Sequence, residues 1–349
     1  MNPDARENFR RQAEWCERLG SPFTALACRA LCEHLSEDSA FGSRALNWPG
    51  APEADALALR ACGALNLLAR EGHPALAPLY PPNPLPSPRE FWRGAQSAIA
   101  GLDERLTRFL DSAPQTNEVA RSAALLPGYL EIVRRAGLPL AIREIGASAG
   151  LNLLFDRYFY DYGAFAWGPP DAKVTIPCEW RGKAEALAGA IEVAERRGCD
   201  LNPIDASDLA ARARMLAYIW PDQAARLARA EAALDVAAEE NIRVEAIDAA
   251  QFAARELRAG APGRALVLAH TIFWQYLPRP AKTAIRAAIA EAADRATRAN
   301  PFAWLRLEAG AEERRGAILR LSLWPHGPID EKLALASFHG QWIEWRGVA

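Results

Sequence analysis

Around residue 142 an apolar run rich in β-branched residues meets a turn of small ones. Ile142-Arg143-Glu144-Ile145 is followed by Gly146-Ala147-Ser148-Ala149-Gly150 and then by Leu151-Asn152-Leu153-Leu154. No other segment constrains the chain as strongly. Gly146 and Gly150 tolerate backbone conformations closed to other residues and let a ligand approach the main chain. The short helix expected next offers unpaired N–H groups at its start. Glu144, at the end of the strand, can accept hydrogen bonds from a cationic or hydroxyl-rich ligand.

The surroundings decide what kind of sheet this strand belongs to. Residues 1–136 read as an all-helical region. Ser21-Pro22 starts a helix, Leu57, Ala61, Leu65 and Leu68 form one stripe closed by Gly72, and the helical pattern resumes over Arg89–Leu110. Pro81 to Pro88 is an extended connector. A further helix follows Gln115-Thr116-Asn117, with Thr116 or Asn117 as its cap. From residue 137 to 349 strand-length runs alternate with helices: Leu138–Ile145, Ile242–Ile247, Ala265–Ala269 and Phe302–Leu307 are separated by Asp205–Glu239 (broken at Pro221), Gln251–Arg258 and Ala281–Arg298. That alternation implies an α/β fold with a mostly parallel sheet. Ala317–Trp324, Leu333–Phe338 and Gln341–Trp345 depart from it and should pair antiparallel. Residues from about 157 to 185 form an aromatic-rich insertion, either a substrate lid or an edge hairpin packed on the core.

Three chemistries share a strand–glycine–helix turn. A dinucleotide site wants G-x-G-x-x-G, but Ser148 and Leu151 occupy its second and third glycine positions. The G-x-S-x-G elbow of serine hydrolases matches at every fixed position, with Ser148 as nucleophile. Class I methyltransferases that use S-adenosylmethionine carry E/D-x-G-x-G-x-G after their first strand. Here the pattern is Glu144-x-Gly146-x-Ser148-x-Gly150, with one glycine replaced. Context favours the third, because a hydrolase elbow follows a middle strand and everything before Leu138 looks helical. That alternative also expects carboxylates after the second and third strands. Asp200 follows a short run at Arg196–Cys199 and would hold ribose hydroxyls, and Asp248-Ala249 ends the next strand at the adenine edge. The expected architecture is therefore a Rossmann-like, methyltransferase-type sheet closed by an antiparallel C-terminal hairpin.

Four segments together resemble the bacterial family labelled domain of unknown function 2332. They are Gln115 to Arg121, Glu144 to Asn152 with Asp156-Arg157-Tyr158, Gly198 to Asp205, and Trp274-Gln275-Tyr276-Leu277-Pro278. The resemblance covers nearly the whole chain and implies relatives rather than a reaction. Its central segment is similar to the class I methyltransferase fold. Ala120 stands where that family is expected to prefer glycine.

The working expectation is a methyltransferase acting on a small-molecule acceptor, with a serine hydrolase or a non-catalytic nucleoside-binding protein as alternatives. Glu144, Gly146, Ser148, Gly150, Asn152, Asp200, Asp248 and Ala249 would hold S-adenosylmethionine. His270, at the end of Ala265–Ala269, or Glu118 would serve as base; His270 could equally cap its strand, and Glu118 could simply pair with Arg121. Asn117, Arg121, Tyr158, Trp274, Gln275 and Tyr276 would line the acceptor pocket. Ala269-His270-Thr271 lacks the Asn/Asp-Pro-Pro-Tyr of enzymes that methylate amino groups of bases or glutamine, which counts against that substrate class.

Composition narrows the partners. A formal charge of -2, from 41 basic and 43 acidic residues, argues against a protein built to grip nucleic acid. No secretory signal opens the chain and the charge-free stretch Ala265–Pro278 is too short to span a membrane, so a cytoplasmic location is expected. Six cysteines without a C-x-x-C pair read as small buried apolar residues, and five dispersed histidines offer no metal-ligand spacing. Oligomeric state is not legible.

Overall fold

The computed structural model describes residues 3–182, 189–310 and 313–346. The chain forms two compact units, Met1–Thr116 with Asp208–Glu231, and Asn117–Ser207 with Ala232–Ala349. The boundary thus falls twenty residues before the expected 136/137 division, and a segment from the middle of the chain returns to the first unit. Helices run in the order α1 (Pro3–Arg18), α2 (Pro22–His34), α3 (Ala40–Leu46), α4 (Leu57–Arg70), α5 (Pro88–Phe109), α6 (Arg121–Ala136), α7 (Leu209–Ala217), α8 (Ala224–Glu239), α9 (Ala249–Ala259) and α10 (Arg279–Arg295).

The first unit is built as its sequence implies. Leu57, Ala61, Leu65 and Leu68 of α4 are all buried. Ser87 and Glu90 form a reciprocal capping box and Pro88 supplies the first helical residue, so α5 starts directly out of the proline connector. At α2, Ser21 precedes the expected proline, but its hydroxyl bonds to Thr24 and Asp222 rather than to the helix backbone.

The second unit is a nine-stranded sheet with a smaller one beside it. In chain order its strands are β1 (Leu140–Ile145), β2 (Phe159–Asp161), β3 (Ala166–Trp167), β4 (Thr175–Pro177), β5 (Glu179–Arg181) and β6 (Val193–Asp200). The later ones are β7 (Val244–Ala246), β8 (Ala265–Thr271), β9 (Phe302–Gly310), β10 (Glu313–Trp324), β11 (Glu331–Ala336) and β12 (Trp342–Trp345). The main sheet is ordered β5-β12-β11-β10-β9-β8-β1-β6-β7. The run from β7 to β9 is parallel throughout, whereas β9, β10, β11 and β12 form a consecutive antiparallel meander. Strand order reverses between β1 and β8, which places a topological switch point at the carboxyl end of β1.

Alternation along the strands sorts the two faces. Leu305 of β9 meets α6 at Gly128, where an added Cβ would come within 2.5 Å of Leu305 Cδ1. Leu266, Leu268 and Phe302 instead pack with Phe252 of α9 and Ile285 and Ile289 of α10. β1 is buried along its whole length. Arg143, in the middle of it, has Nε 2.7 Å from Glu256 Oε2 of α9, both side chains being 3% exposed.

The aromatic insertion packs on the core. β3, β2 and β4 make the small sheet, β5 adds an edge to the main one parallel to β12, and Tyr158, Tyr160 and Tyr162 are buried. The last residues of the expected insertion, 183–185, lie outside the described residues. No helix among the described residues is long and apolar enough to cross a membrane.

Candidate functional site

The turn after β1 is held by three other segments. Gly146 and Gly150 take positive φ values of 71° and 73°, and Ser148 joins them at 55°. A serine tolerates that conformation poorly, so the surrounding bonds must impose it. The Ser148 N–H donates to Asp200 Oδ2 at 3.0 Å, and Asp200 Oδ1 accepts from Asn202 N at 3.0 Å. From the segment before α6, Asn117 Oδ1 accepts the N–H groups of Ala149 (3.2 Å) and Leu151 (3.0 Å). The third clamp is steric: a Cβ at Gly146 would lie 2.2 Å from Cδ2 of Phe273.

Backbone strain gathers here. Among the described residues, six non-glycine residues have positive φ, and three of them are Asn117, Ser148 and Ile272. Ile272 is β-branched and sits directly before Phe273, at the end of β8. Such conformations cost about 1–3 kcal/mol each and persist where structure or function demands them.

So do buried polar atoms without partners. Glu144 Oε2, Ser148 Oγ and both amide atoms of Asn152 have no hydrogen bond, although these residues are only 3%, 7% and 1% exposed. Burial, reinforced by Asp200 nearby and opposed by Arg121, pushes the Glu144 carboxyl up to about 8. A protonated glutamic acid, a hydroxyl and a carboxamide thus face low-dielectric surroundings beside the Asp200 carboxylate. Leaving such groups unmatched costs about 1–3 kcal/mol each, the pattern expected where a ligand supplies the missing bonds.

The other expected site residues fall into different roles. His270 lies within β8 rather than beyond its end and is fully buried. Its Nδ1 is 2.6 Å from Glu308 Oε1, and Trp304 Nε1 donates to its Nε2 at 3.1 Å. An indole can only donate, so Nε2 is the acceptor and Nδ1 the donor. Neither nitrogen is open to a substrate proton, which removes His270 as the base in this arrangement. Glu308, absent from the sequence expectations, also accepts the backbone N–H groups of Phe273 (3.0 Å) and Trp274 (3.1 Å). The histidine therefore orients the carboxylate that fixes Phe273 over Gly146. The signal for this was present in sequence, as an acid ending the apolar run Phe302–Leu307.

Asp248 is the N-cap of α9, its carboxylate accepting from Ala250 (2.8 Å) and Gln251 (3.2 Å), and Ala249 is buried as the first residue of that helix. Asn117 binds the turn's own backbone and does not cap α6, which begins after Ala120. The Tyr158 hydroxyl donates to Leu151 O at 2.7 Å and its ring is buried, so it is a core residue rather than an acceptor contact. Glu118 is buried with Oε1 accepting from Ala120 N, and Arg121 Nε donates to Phe338 O. Gln275 is exposed and Tyr276 is 73% exposed, while the Trp274 ring stacks on His270. Among the described residues no group of His, Cys, Asp and Glu could hold a metal ion.

Over residues 6–345 the chain matches the model of the family described as uncharacterized protein conserved in bacteria (DUF2332), and it belongs to that family. Neither a curated protein nor a solved structure matches it.

Proposed function

We propose that the carboxyl ends of β1 and β6 bind S-adenosylmethionine and that the protein transfers its methyl group to a small-molecule acceptor. The observation that carries this reading is the buried set of partnerless polar atoms on Glu144, Ser148 and Asn152, beside Asp200 at the switch point of a parallel sheet. In open α/β sheets ligands bind in that crevice. The strands from β7 to β9 run 3-2-1-4-5 in their own chain order, the order of nucleotide-binding sheets.

These residues fit the group in part. Glu144 would accept the ligand's ammonium, and Asn152 and Ser148 would bond its polar edges. Asp200, which accepts the N–H groups of Ser148 and Asn202, would add a bond to a ribose hydroxyl. Phe273 must swing off Gly146 for the adenosyl group to approach the turn, and Asp248, as a helix cap, contributes less than expected. The bound group would supply an activated methyl; the protein's task is alignment with the acceptor. Glu118, buried and close to the turn's clamp, is the base candidate that remains.

The hydrolase alternative has one observation in its favour, the left-handed conformation of Ser148 in a G-x-S-x-G sequence. Against it, the Ser148 hydroxyl has no hydrogen-bonded base and His270 is committed elsewhere. Equilibrium dialysis with labelled S-adenosylmethionine tests the proposal: retention by the wild type and its loss in Asn152→Ala support it, and equal retention by both contradicts it.

A further inference from the structure

Away from the glycine turn, the α10 face of the sheet carries a row of positive charge. Alternation puts Trp304, Arg306 and Glu308 of β9 on that face. In the antiparallel register Arg306 stands directly opposite Arg320 of β10, and Arg320 stands opposite Lys332 of β11. Like charges placed opposite one another across strands destabilise a sheet. Here the row spans three strands, and α10 adds a fourth cation, Arg286.

The three arginines line an open groove of about 220 Å³ whose walls include Trp274, Arg286, Trp304, Arg306, Glu308 and Arg320. Trp274 and Trp304 are tilted against each other at 5.8 Å between ring centroids. The Arg306 guanidinium lies 3.9 Å from the Trp304 centroid, and that of Arg286 lies 5.5 Å from the Trp274 centroid. The Arg306 side chain is 15% exposed, and its Nη1 has no hydrogen-bond partner. Burial pushes its pKa down, Asp330 opposing and Arg320 adding to the shift.

The negative charge present does not balance this row. Asp330 bridges Arg306 and Arg320. Glu308 is committed to His270 and to the N–H groups of Phe273 and Trp274. The three arginines of the lining thus face two carboxylates, a net positive charge that a bound anion would offset. The indoles give an apolar wall that strengthens each charge by excluding water. Guanidinium groups at the rim on Arg286 and Arg320 suit paired bonds to oxyanion oxygens.

We propose that this groove binds a small molecule ending in a phosphate group, with its apolar body against Trp304 and Ile318. The proposal is independent of the methyl-transfer reading, since it uses none of the turn's residues as ligands. Phenyl phosphate and benzoate, which share an apolar body and differ in their oxyanion, are the probes for calorimetry on the full chain at low salt. Phenyl phosphate is expected to bind, more tightly than benzoate and less tightly as salt rises. Arg286 is exposed and Arg320 33% exposed, so Arg286→Gln and Arg320→Gln are expected to fold, as an unchanged circular-dichroism melt would check. Each should weaken binding about tenfold, ~1.4 kcal/mol, whereas Arg105→Gln in the first unit should change nothing. No heat with phenyl phosphate at 10 mM (roughly the limit of a useful millimolar site) would overturn the proposal. So would tighter binding of benzoate, or equal weakening by all three substitutions.

Discussion

The ring of Phe273 occupies the space that a side chain at Gly146 would need, with Cδ2 2.2 Å from the ideal Cβ position. A loop after β8 thereby closes over the turn after β1. Gly146→Ala should cost about 2–4 kcal/mol, combining a positive φ of 71° with the clash. Adding Phe273→Ala should recover part of that loss. Urea unfolding of the two single variants and the double variant measures the coupling; strict additivity would show that the contact is not what disfavours alanine.

Glu144 makes stability depend on pH. Its folded pKa, raised to about 8 by burial, lies above the ordinary carboxylate value. The favourable contribution of its protonated form is therefore complete below the unfolded value and is lost as pH rises through about 8. Between pH 6 and 9 the wild type should lose on the order of 1–3 kcal/mol that Glu144→Gln keeps. Parallel slopes for the two proteins would mean that the carboxyl is already ionised at pH 6.

Arg143 and Glu256 tie β1 to α9 through a buried charge pair. Arg143 keeps a second carboxylate, Glu195, 2.9 Å from its Nη2, so removing Glu256 should cost about 1–3 kcal/mol, the loss of one buried charged partner. Glu256→Gln should therefore lower the denaturation midpoint, and Arg143→Met/Glu256→Leu should restore much of it. A loss below about 1 kcal/mol for the single variant would place water at the pair.

His270→Gln should act on stability and on the position of Phe273. It breaks the bond to Glu308 and leaves that carboxylate with a lost donor, a cost of about 1–3 kcal/mol. In the same spirit Ser148, lacking a base, should not react with a fluorophosphonate probe. Labelling of Ser148 that disappears in His270→Gln would establish a serine–histidine pair and reverse the assignment.

How much of this was legible in the sequence follows from how far each signal reaches. Local signals carried the helices: the α4 stripe lies where the pattern puts it, and α5 (Pro88–Phe109) begins one residue before the expected Arg89, its Ser87-Pro88 start having been read as the end of the connector. The β1 turn was legible because glycine and serine spacing is itself local. Three things were not. Only the tail of β6 showed, because Val193–Arg197 mixes charge with apolar residues whose partners lie elsewhere in the chain. The return of residues 208–231 to the first unit is a tertiary event. His270 read as a strand-end base since nothing near it announces Glu308 and Trp304, which lie 38 and 34 residues further on. Asn117 read as a helix cap or acceptor contact and Asp248 as the carboxylate at the adenine edge, yet each bonds backbone.

The most direct test of the central claim is titration of the full chain with S-adenosylhomocysteine at pH 7 in two buffers of different ionisation heat. Glu144, protonated in the free protein, should give up its proton when it accepts the ligand's ammonium. One-to-one binding with proton release is therefore expected, the release lost in Glu144→Gln, with about 2.7 kcal/mol of stabilisation at a hundred times the dissociation constant. No heat in either buffer and no change in melting temperature at millimolar ligand would contradict it.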